Sequence, residues 1–222
     1  MQWVQQLSIL KVPFYIYKLN KHDCILYELN KNPHQSLIIL HGVIYVFKIF
    51  TNGEISATAI LSENHIINIK HTTADLKHYY YKAIAFKTTY ILSFQLQDIT
   101  EQEKVSTLIL NQIIKSYENT IYRYEQMSHI MTHKYMKNRV IQLIFFLCQE
   151  FGIVRKQEII IPFEISQINI GHIIGSNKIT INKIIKNLSN QMLIKYSKNK
   201  KIILKDPLSL NYIYTKYRKY EY

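Results

Sequence analysis

The sequence predicts an α+β fold in which many short N-terminal strands precede one long helix and a C-terminal helix-turn-helix with a β-hairpin. Three patterns lead to this prediction: evenly spaced apolar runs, then an apolar period of seven residues, then two amphipathic runs that meet at Gly175. The corresponding segments are residues 1–100, 101–137 and 138–222. A chain of 222 residues is long enough to form two modest domains with real cores.

The first segment is predicted to form a barrel or a jelly roll. Thr51–Glu54 contains an Asn-Gly pair between two apolar runs, and Asn-Gly accepts the positive φ values of a tight hairpin turn. Many short strands at even spacing are typical of barrels and of double-sheet rolls. The apolar runs that we interpret as strands are Ser36–Leu40, Val43–Phe50, Ile55–Leu61 and Ala83–Leu96.

The second segment is predicted to be one long helix. Its apolar residues alternate steps of four and three residues, which is the pattern of a seam between two helices. A single helix that is buried against the strands would give a similar stripe, so the periodicity leaves both interpretations open. The seam consists of Leu110, Ile114, Tyr117, Ile121, Tyr124, Ser128 and Met131.

The third segment begins at Asn138, with a predicted first helix over Arg139–Phe151, and contains the helix-turn-helix pattern. Ile170, Ile173 and Ile174 share one face of a short helix. Glycine accepts positive φ in a sharp turn at little steric cost, so Gly175 is predicted to end that helix. The second helix is predicted to have Ser176 as its N-cap. Its apolar stripe consists of Ile181, Ile184, Ile185 and Leu188.

The opposite face of the second helix carries cations, amides and one exposed apolar group, which is the chemistry that reads a major groove. Helix–Gly–helix patterns also occur inside larger helical cores, where such lysines are merely solvated. A predicted β-hairpin follows, with Lys200 in its basic turn, and a helix-turn-helix with a basic wing is more specific than either part. The residues of the polar face are Asn177, Lys178, Ile179, Asn182, Lys183 and Lys186.

The composition of the chain indicates which kind of partner it binds. The formal net charge is +13 and the sequence pI is about 9.5, which indicates a polyanionic partner, either nucleic acid or an anionic membrane. No apolar run is long enough for a transmembrane helix, and the N-terminus lacks a signal-peptide pattern. Cys24 and Cys148 lie far apart in the sequence, which favours a reduced compartment.

No pattern of residues predicts catalysis or metal binding. His129 and His133 have the spacing of a metal pair, but Ile130 stands where an HExxH motif needs glutamate, and no third ligand follows. The sequence also lacks a P-loop, a Gly-x-Ser-x-Gly motif and suitably spaced acids. We therefore predict that the chain is not an enzyme and holds no cofactor or metal. An enzyme with a small-molecule β-roll is a remote alternative, because it would lack acids and bases.

Three stretches carry a resemblance to a known family. GHIIGSNKITINKIIKNL and the hairpin after it resemble the DNA-binding domain of the Crp/Fnr regulators. Met131–Ile153 and Leu61–Ile69 resemble the nitrogen-control branch of that family, which occurs in cyanobacteria and in red-algal plastids. The resemblance covers roughly Ser36 to Leu210 and is strongest from Met131 onward.

The resemblance implies a cyclic-nucleotide-binding-like double-stranded β-roll, a dimerisation helix and a winged helix-turn-helix. It implies a homodimer that binds two-fold symmetric promoter sites in duplex DNA, with bacterial-type RNA polymerase as a further partner and no membrane. The expected location is the plastid stroma, with a bacterial cytoplasm as the alternative. The residues expected to lie on phosphates are Ser166, Gln167, Ser176 and Thr180. The residues expected to face bases are Lys178, Ile179, Asn182 and Lys183.

The sequence departs from the family at the effector site and on the reading helix. Relatives that bind 2-oxoglutarate use a glycine-containing turn and arginines, but Asn68 replaces that glycine and Thr120 aligns with one arginine. Tyr79 or Tyr80 falls where the other arginine belongs, and Glu125 matches. The 2-oxoglutarate site therefore looks degraded, and whether any effector binds is uncertain. The two arginines of the family's reading helix are Lys178 and Lys183 here, which predicts looser base specificity.

The sequence is also compatible with a second function. A basic winged helix also suits structured RNA or the ribosome surface, because a basic face does not choose between polyanions.

Overall fold

The structure is a computed structural model that describes residues 2–27, 35–67, 79–100, 107–197 and 199–211. The chain forms two compact units, Met1–Ser128 and His129–Tyr222. The predicted boundaries at residues 100 and 137 stay predictions. Among the described residues, no helix is both long and apolar enough to span a membrane.

The first unit contains two four-stranded antiparallel sheets that form a β-roll. One sheet has the order β1-β8-β3-β6 and the other the order β2-β7-β4-β5. The mixed architecture confirms the predicted α+β class. The strands are β1 (Phe14–Leu19), β2 (Cys24–Tyr27), β3 (Gln35–His41), β4 (Val43–Phe50), β5 (Ile55–Ser62), β6 (Ile66–Ile67), β7 (Tyr79–Ala85) and β8 (Thr89–Gln95).

The described core of this unit includes two apolar clusters. The first lies between the sheets and includes Ile39, Val46 and Ala83. The second covers the outer face of the β1-β8-β3-β6 sheet, where Trp3 and Ile109 pack. The helices of this part of the chain are α1 (Gln2–Ile9), α2 (Gln97–Thr100) and α3 (Thr107–Thr132), whose last turn lies in the second unit.

Two features of the first unit differ from the prediction. The apolar run Ala83–Leu96 is not one strand, because a turn separates β7 from β8. The Thr89 hydroxyl stabilises this turn by donating to the Lys87 carbonyl oxygen at 2.8 Å. Helix α1 was not predicted, although it buries Trp3 and Leu7. The Thr51–Glu54 hairpin turn is confirmed, with φ of 83° at Gly53.

The apolar residues of α3 divide into a buried face and an exposed face. Ile109, Ile113 and Thr120 are buried, so one face of the helix packs against the β-roll. Of the predicted seam, Leu110, Tyr117 and Tyr124 also pack against the apolar clusters of this unit. The alternate seam residues Ile114 and Ile121 remain 54% and 64% exposed.

In the second unit, helices pack against a four-stranded sheet of order β11-β12-β10-β9. Its elements are α4 (Met136–Phe151), β9 (Ile153–Arg155), β10 (Glu158–Ile160), α5 (Gln167–Ile174), α6 (Lys178–Asn190), β11 (Ile194–Tyr196) and β12 (Ile202–Leu204). Helix α4 begins three residues before the predicted start at Arg139. The prediction was wrong because Asn138, a residue type that favours caps, is buried inside the helix.

Candidate nucleic-acid interface

The helix-turn-helix forms where the sequence predicts it. Ser166 is the N-cap of α5, and its hydroxyl oxygen accepts a hydrogen bond from the Asn169 backbone N–H at 3.0 Å. Gly175 ends the helix in the left-handed conformation, with φ of 70°. Gly171 fits where a side chain would not, since an added Cβ would lie 2.6 Å from the Ser176 carbonyl oxygen. These contacts bring α5 and α6 close together around a short turn.

The N-cap of α6 is Asn177 rather than the predicted Ser176. The Asn177 side-chain oxygen accepts a hydrogen bond from the Thr180 backbone N–H at 2.8 Å. Ser176 instead donates its backbone N–H to the Gly171 carbonyl oxygen at 2.8 Å and closes the turn. Both residue types favour caps, so the sequence alone does not decide which of two neighbours takes the role.

Helix α6 presents a basic face. Lys178, Lys183 and Lys186 are exposed, and the Ile179 side chain among them is 69% exposed. The opposite face buries Ile181, Ile185 and Leu188, as predicted. This arrangement leaves three ammonium groups and one apolar side chain free to meet a groove of nucleic acid.

Two amide side chains of the helix-turn-helix, one on α5 and one on α6, form a hydrogen bond with each other. Gln167 Nε2 lies 3.5 Å from Asn182 Oδ1, which joins the first turn of α5 to α6. Thr180 and Asn182 are half-buried, as are Ser166 and Gln167. The structure thus gathers the predicted phosphate and base contacts around one helix pair, and their roles toward DNA stay predictions.

The predicted wing is a two-stranded antiparallel hairpin. Strand β11 pairs with β12 in the register Lys195↔Ile203. The turn closes with a hydrogen bond from the Lys200 backbone N–H to the Ser197 carbonyl oxygen at 2.9 Å, and Lys200 has φ of 53°. Its side chain is exposed at the tip.

The wing is tied to the start of the helix-turn-helix through Ile165. The Ile165 backbone N–H donates to the Lys200 carbonyl oxygen at 3.0 Å. The Ile165 carbonyl oxygen in turn accepts a hydrogen bond from the Tyr196 phenol. Burial raises the pKa of that phenol well above its ordinary value. Because both polar groups of a buried backbone unit are satisfied by the wing, the wing and α5 have a fixed relative position.

We expect Tyr196→Phe to lower the free energy of unfolding by about 1–3 kcal/mol, because it leaves the buried Ile165 carbonyl without its donor. Thermal unfolding of the full chain measures this change. Tyr135→Phe, at a tyrosine of the same unit that is 47% exposed, is the matched control. Equal melting temperatures for the two variants would contradict the tie between wing and helix.

A second hairpin, β9–β10, extends the wing into a sheet and was not predicted. Each of its strands is three residues long, like those of the wing. A groove of about 410 Å³ lies on this sheet and is lined by residues that include Arg155 and Lys201. From residue 165 to residue 205 the sequence contains eight lysines and no acidic residue. Lys205 among them lies 3.6 Å from the Glu158 carboxylate of β10. The remaining excess of lysines over acids around the helix-turn-helix and the wing gives a positive electrostatic potential, which favours a polyanion.

The predicted effector site lies only partly within the described residues. Asn68 falls outside them, as do two nearby lysines of the same stretch, Lys70 and Lys77. Thr120, which aligns with a family arginine, accepts a hydrogen bond from the Ile66 backbone N–H at 3.0 Å and lies 2.8 Å from the Ser116 carbonyl oxygen. Its hydroxyl therefore joins α3 to β6.

Tyrosines fill the adjoining edge of the β-roll interior. Tyr124 reaches from α3 to the core cluster between the sheets, next to Tyr81 and the Thr58 hydroxyl. Burial and the neighbouring Tyr81 raise the pKa of Tyr124 to about 12, against the hydrogen bond with Thr58, which lowers it. Tyr124 is thus a packing residue of the roll in this chain.

Three cations of this region lie within the described residues, namely Lys48, Lys82 and Arg123. Arg123 on α3 donates its Nε–H to His65 Nε2 at 3.2 Å. The Lys48 ammonium lies 3.5 Å from the centre of the Tyr79 ring. Lys82 neighbours Tyr81 and Ala83 in β7, so its side chain lies on the opposite face of the sheet from theirs. Among the described residues, no group of three or more His, Cys, Asp or Glu side chains is placed to hold a metal ion.

No family model matches the chain. It is 24% identical over 178 residues to the global nitrogen regulator of Nostoc sp. strain PCC 7120, which covers 80% of this chain and 79% of that protein. It is 28% identical over 201 residues to the putative HTH-type transcriptional regulator ycf28 of Porphyra purpurea, which covers 88% of this chain and 80% of that protein.

The fold is that of solved Crp/Fnr regulators. TTHB099, a transcriptional regulator of the CRP family from Thermus thermophilus, matches with a TM-score of 0.71 at 13% identity, over 90% of this chain and 96% of that one. CprK complexed with OCPA matches with a TM-score of 0.68 at 18% identity, over 96% and 94%. The predicted fold and the resemblance to this family are confirmed. Since the relatives are regulators, the prediction that the chain is not an enzyme is also confirmed.

Proposed function

We propose that this homologue of the Crp/Fnr transcription regulators binds two-fold symmetric promoter sites in duplex DNA, sequence-specifically, as a homodimer. The observation that carries the proposal is the exposed basic face of α6 next to a wing that is fixed to α5. Lys178, Ile179, Asn182 and Lys183 face the bases, and the hydroxyl and amide groups around α5 lie on phosphates. Asn177, Lys186 and Lys200 add contacts to the backbone.

The homodimer is supported by the exposed seam of α3. Ile114 and Ile121 are one heptad apart and are exposed, although the helix has already buried its other face against the β-roll. Two copies of this stripe can cover each other across a two-fold axis, since a symmetric interface pairs a patch with itself. A two-fold dimer then places two reading helices on two half-sites.

Equilibrium binding of the full chain to duplex DNA and to structured RNA tests the proposal. We expect preference for a selected duplex over random duplex and over a folded RNA of equal length at the same salt concentration. Binding to all three with equal affinity would contradict the proposal and favour the rival function at structured RNA or the ribosome surface.

We propose in addition that the protein acts in the plastid stroma together with a bacterial-type RNA polymerase. The similarity to the Porphyra purpurea regulator supports this location. The composition supports it as well, because abundant Ile, Asn and Lys with 18 Tyr and only 5 Gly are typical of A+T-rich coding genomes. A bacterial cytoplasm is the alternative. Fractionation of the source cells, with an antibody against the chain, distinguishes the two.

We further propose that 2-oxoglutarate does not bind this protein and leaves its DNA affinity unchanged. Two carboxylates need cationic or amide donors, whereas Thr120 is bonded to backbone groups, Tyr124 occupies the edge of the roll, and Arg123 donates to His65. A ligand that binds two conformational states with equal affinity does not change the equilibrium between them. Cyclic AMP is likewise expected to leave the DNA affinity unchanged.

Titration calorimetry with 2-oxoglutarate, and DNA binding repeated at millimolar 2-oxoglutarate, check this expectation. The expected results are no saturable heat and an unchanged dissociation constant. A saturable signal, or a several-fold rise in DNA affinity, would contradict it. Lys48→Ala is then the variant to compare, since Lys48 is the described cation next to Tyr79.

A further inference from the structure

Arg139 joins two separate parts of the second unit. Its side chain leaves α4 in the second turn of that helix, and its Nε–H donates to the His133 carbonyl oxygen at 2.7 Å. Its Nη1 donates to the Ile174 carbonyl oxygen at 3.3 Å. His133 lies in the short segment between α3 and α4, and Ile174 is the last residue of α5.

The second of these contacts lies at the turn that sets the position of α6. The last carbonyl groups of a helix have no partner within the helix, and that end carries partial negative charge. The Gly171 carbonyl oxygen is satisfied by the backbone N–H groups of Gly175 and Ser176. The guanidinium of Arg139 satisfies the Ile174 carbonyl oxygen next to Gly175, and its charge complements that end of α5.

Arginine is suited to this position because its planar fork presents several donors in fixed directions. One group therefore bonds both the segment before α4 and the end of α5. Lysine keeps the charge but presents its donors from a single flexible ammonium group, so it does not hold both carbonyl oxygens in the same geometry. The arginine is half-buried and belongs to α4, so it is not part of the exposed basic face of α6.

We propose that Arg139 is a positioning residue for base reading: it holds the helix-turn-helix turn against the segment between α3 and α4, and thereby fixes the orientation of α6. This inference rests on the proposed function, since it assumes that α6 reads duplex DNA. Base contacts depend on the orientation of the helix, whereas non-specific attraction to phosphates depends mainly on charge. A positioning role therefore affects the two kinds of binding differently.

The test compares Arg139→Lys with wild type in the full-length protein, with a duplex selected from random DNA and with random duplex as probes. We expect a loss of affinity for the selected duplex of roughly tenfold to a hundredfold, about the effect of one charge-assisted hydrogen bond. Affinity for random duplex is expected to change by less than about twofold, because the charge is kept. Lys134→Arg, which also exchanges one cationic side chain for the other at an exposed residue of the segment between α3 and α4, is the matched control and is expected to change neither affinity.

Thermal unfolding and a second variant, Arg139→Gln, separate positioning from stability. Positioning predicts that both variants lose affinity for the selected duplex at temperatures where they are fully folded. Equal losses on selected and random DNA, or no loss on the selected duplex, would overturn the inference. If the wild type itself fails to prefer the selected duplex, the proposed function fails, whereas failure of the inference alone leaves that preference intact.

Discussion

Replacing Ile121 with glutamate is expected to convert the dimer into monomers. Ile121 is 64% exposed and lies in the middle of the exposed seam of α3, so the substitution removes little apolar contact within one copy. At a two-fold interface the two introduced carboxylates face each other in an apolar setting. Burying like charges without partners costs several kcal/mol, which corresponds to at least about a hundredfold in the dissociation constant of the dimer.

Sedimentation at micromolar concentration measures this change. Asn119→Glu, at an exposed position of α3 outside the seam, is the matched control and is expected to leave the dimer intact. Loss of the dimer is also expected to weaken binding to a symmetric site far more than binding to a half-site. A wild-type protein that is already monomeric at these concentrations would contradict the assignment of the seam.

The second large effect is expected at the reading helix. Lys178→Ala removes an exposed ammonium group from the first turn of α6, and we expect it to cost about 1–3 kcal/mol on a specific site. Binding to random duplex is expected to change little. The measurement is a pair of equilibrium titrations on the two duplexes at the same salt concentration.

Lys200→Ala in the wing provides the contrast to Lys178→Ala. Lys200 lies at the tip of the hairpin, and a phosphate contact there carries no sequence information. We expect this variant to weaken binding to all sequences alike and to lower the slope of log affinity against log salt by about one. If the two variants change specific and random binding in the same way, α6 is not the reading helix.

The helix-turn-helix could be predicted from the sequence because local chemistry determines it. Gly175 is required by a left-handed turn, and the isoleucine spacing of α5 and α6 defines which face is buried. The wing was predictable for a related reason, since two apolar runs flank a polar turn. Where two neighbouring residues had the same capping chemistry, as Ser176 and Asn177 do, the local signal was ambiguous.

The features that the sequence did not predict depend on contacts between distant residues. Tyr124 fits a heptad pattern, but only the β-roll around it shows that it packs into the roll rather than along the exposed seam. The bonds from Arg139 to the ends of two other segments have no periodic signature, and neither does the bond from Tyr196 to Ile165. Strands β9 and β10 were recognised only through their pairing with each other and with β12.

The measurement that tests the central claim most directly is selection of bound sites from random duplex DNA with the full-length protein. A homodimer with one reading helix per copy predicts enrichment of a two-fold symmetric sequence whose half-sites are about 10 base pairs apart, or a multiple of that distance. Recovered sequences without enrichment, or with a single asymmetric site, would contradict the assignment of this chain as a dimeric, sequence-specific regulator.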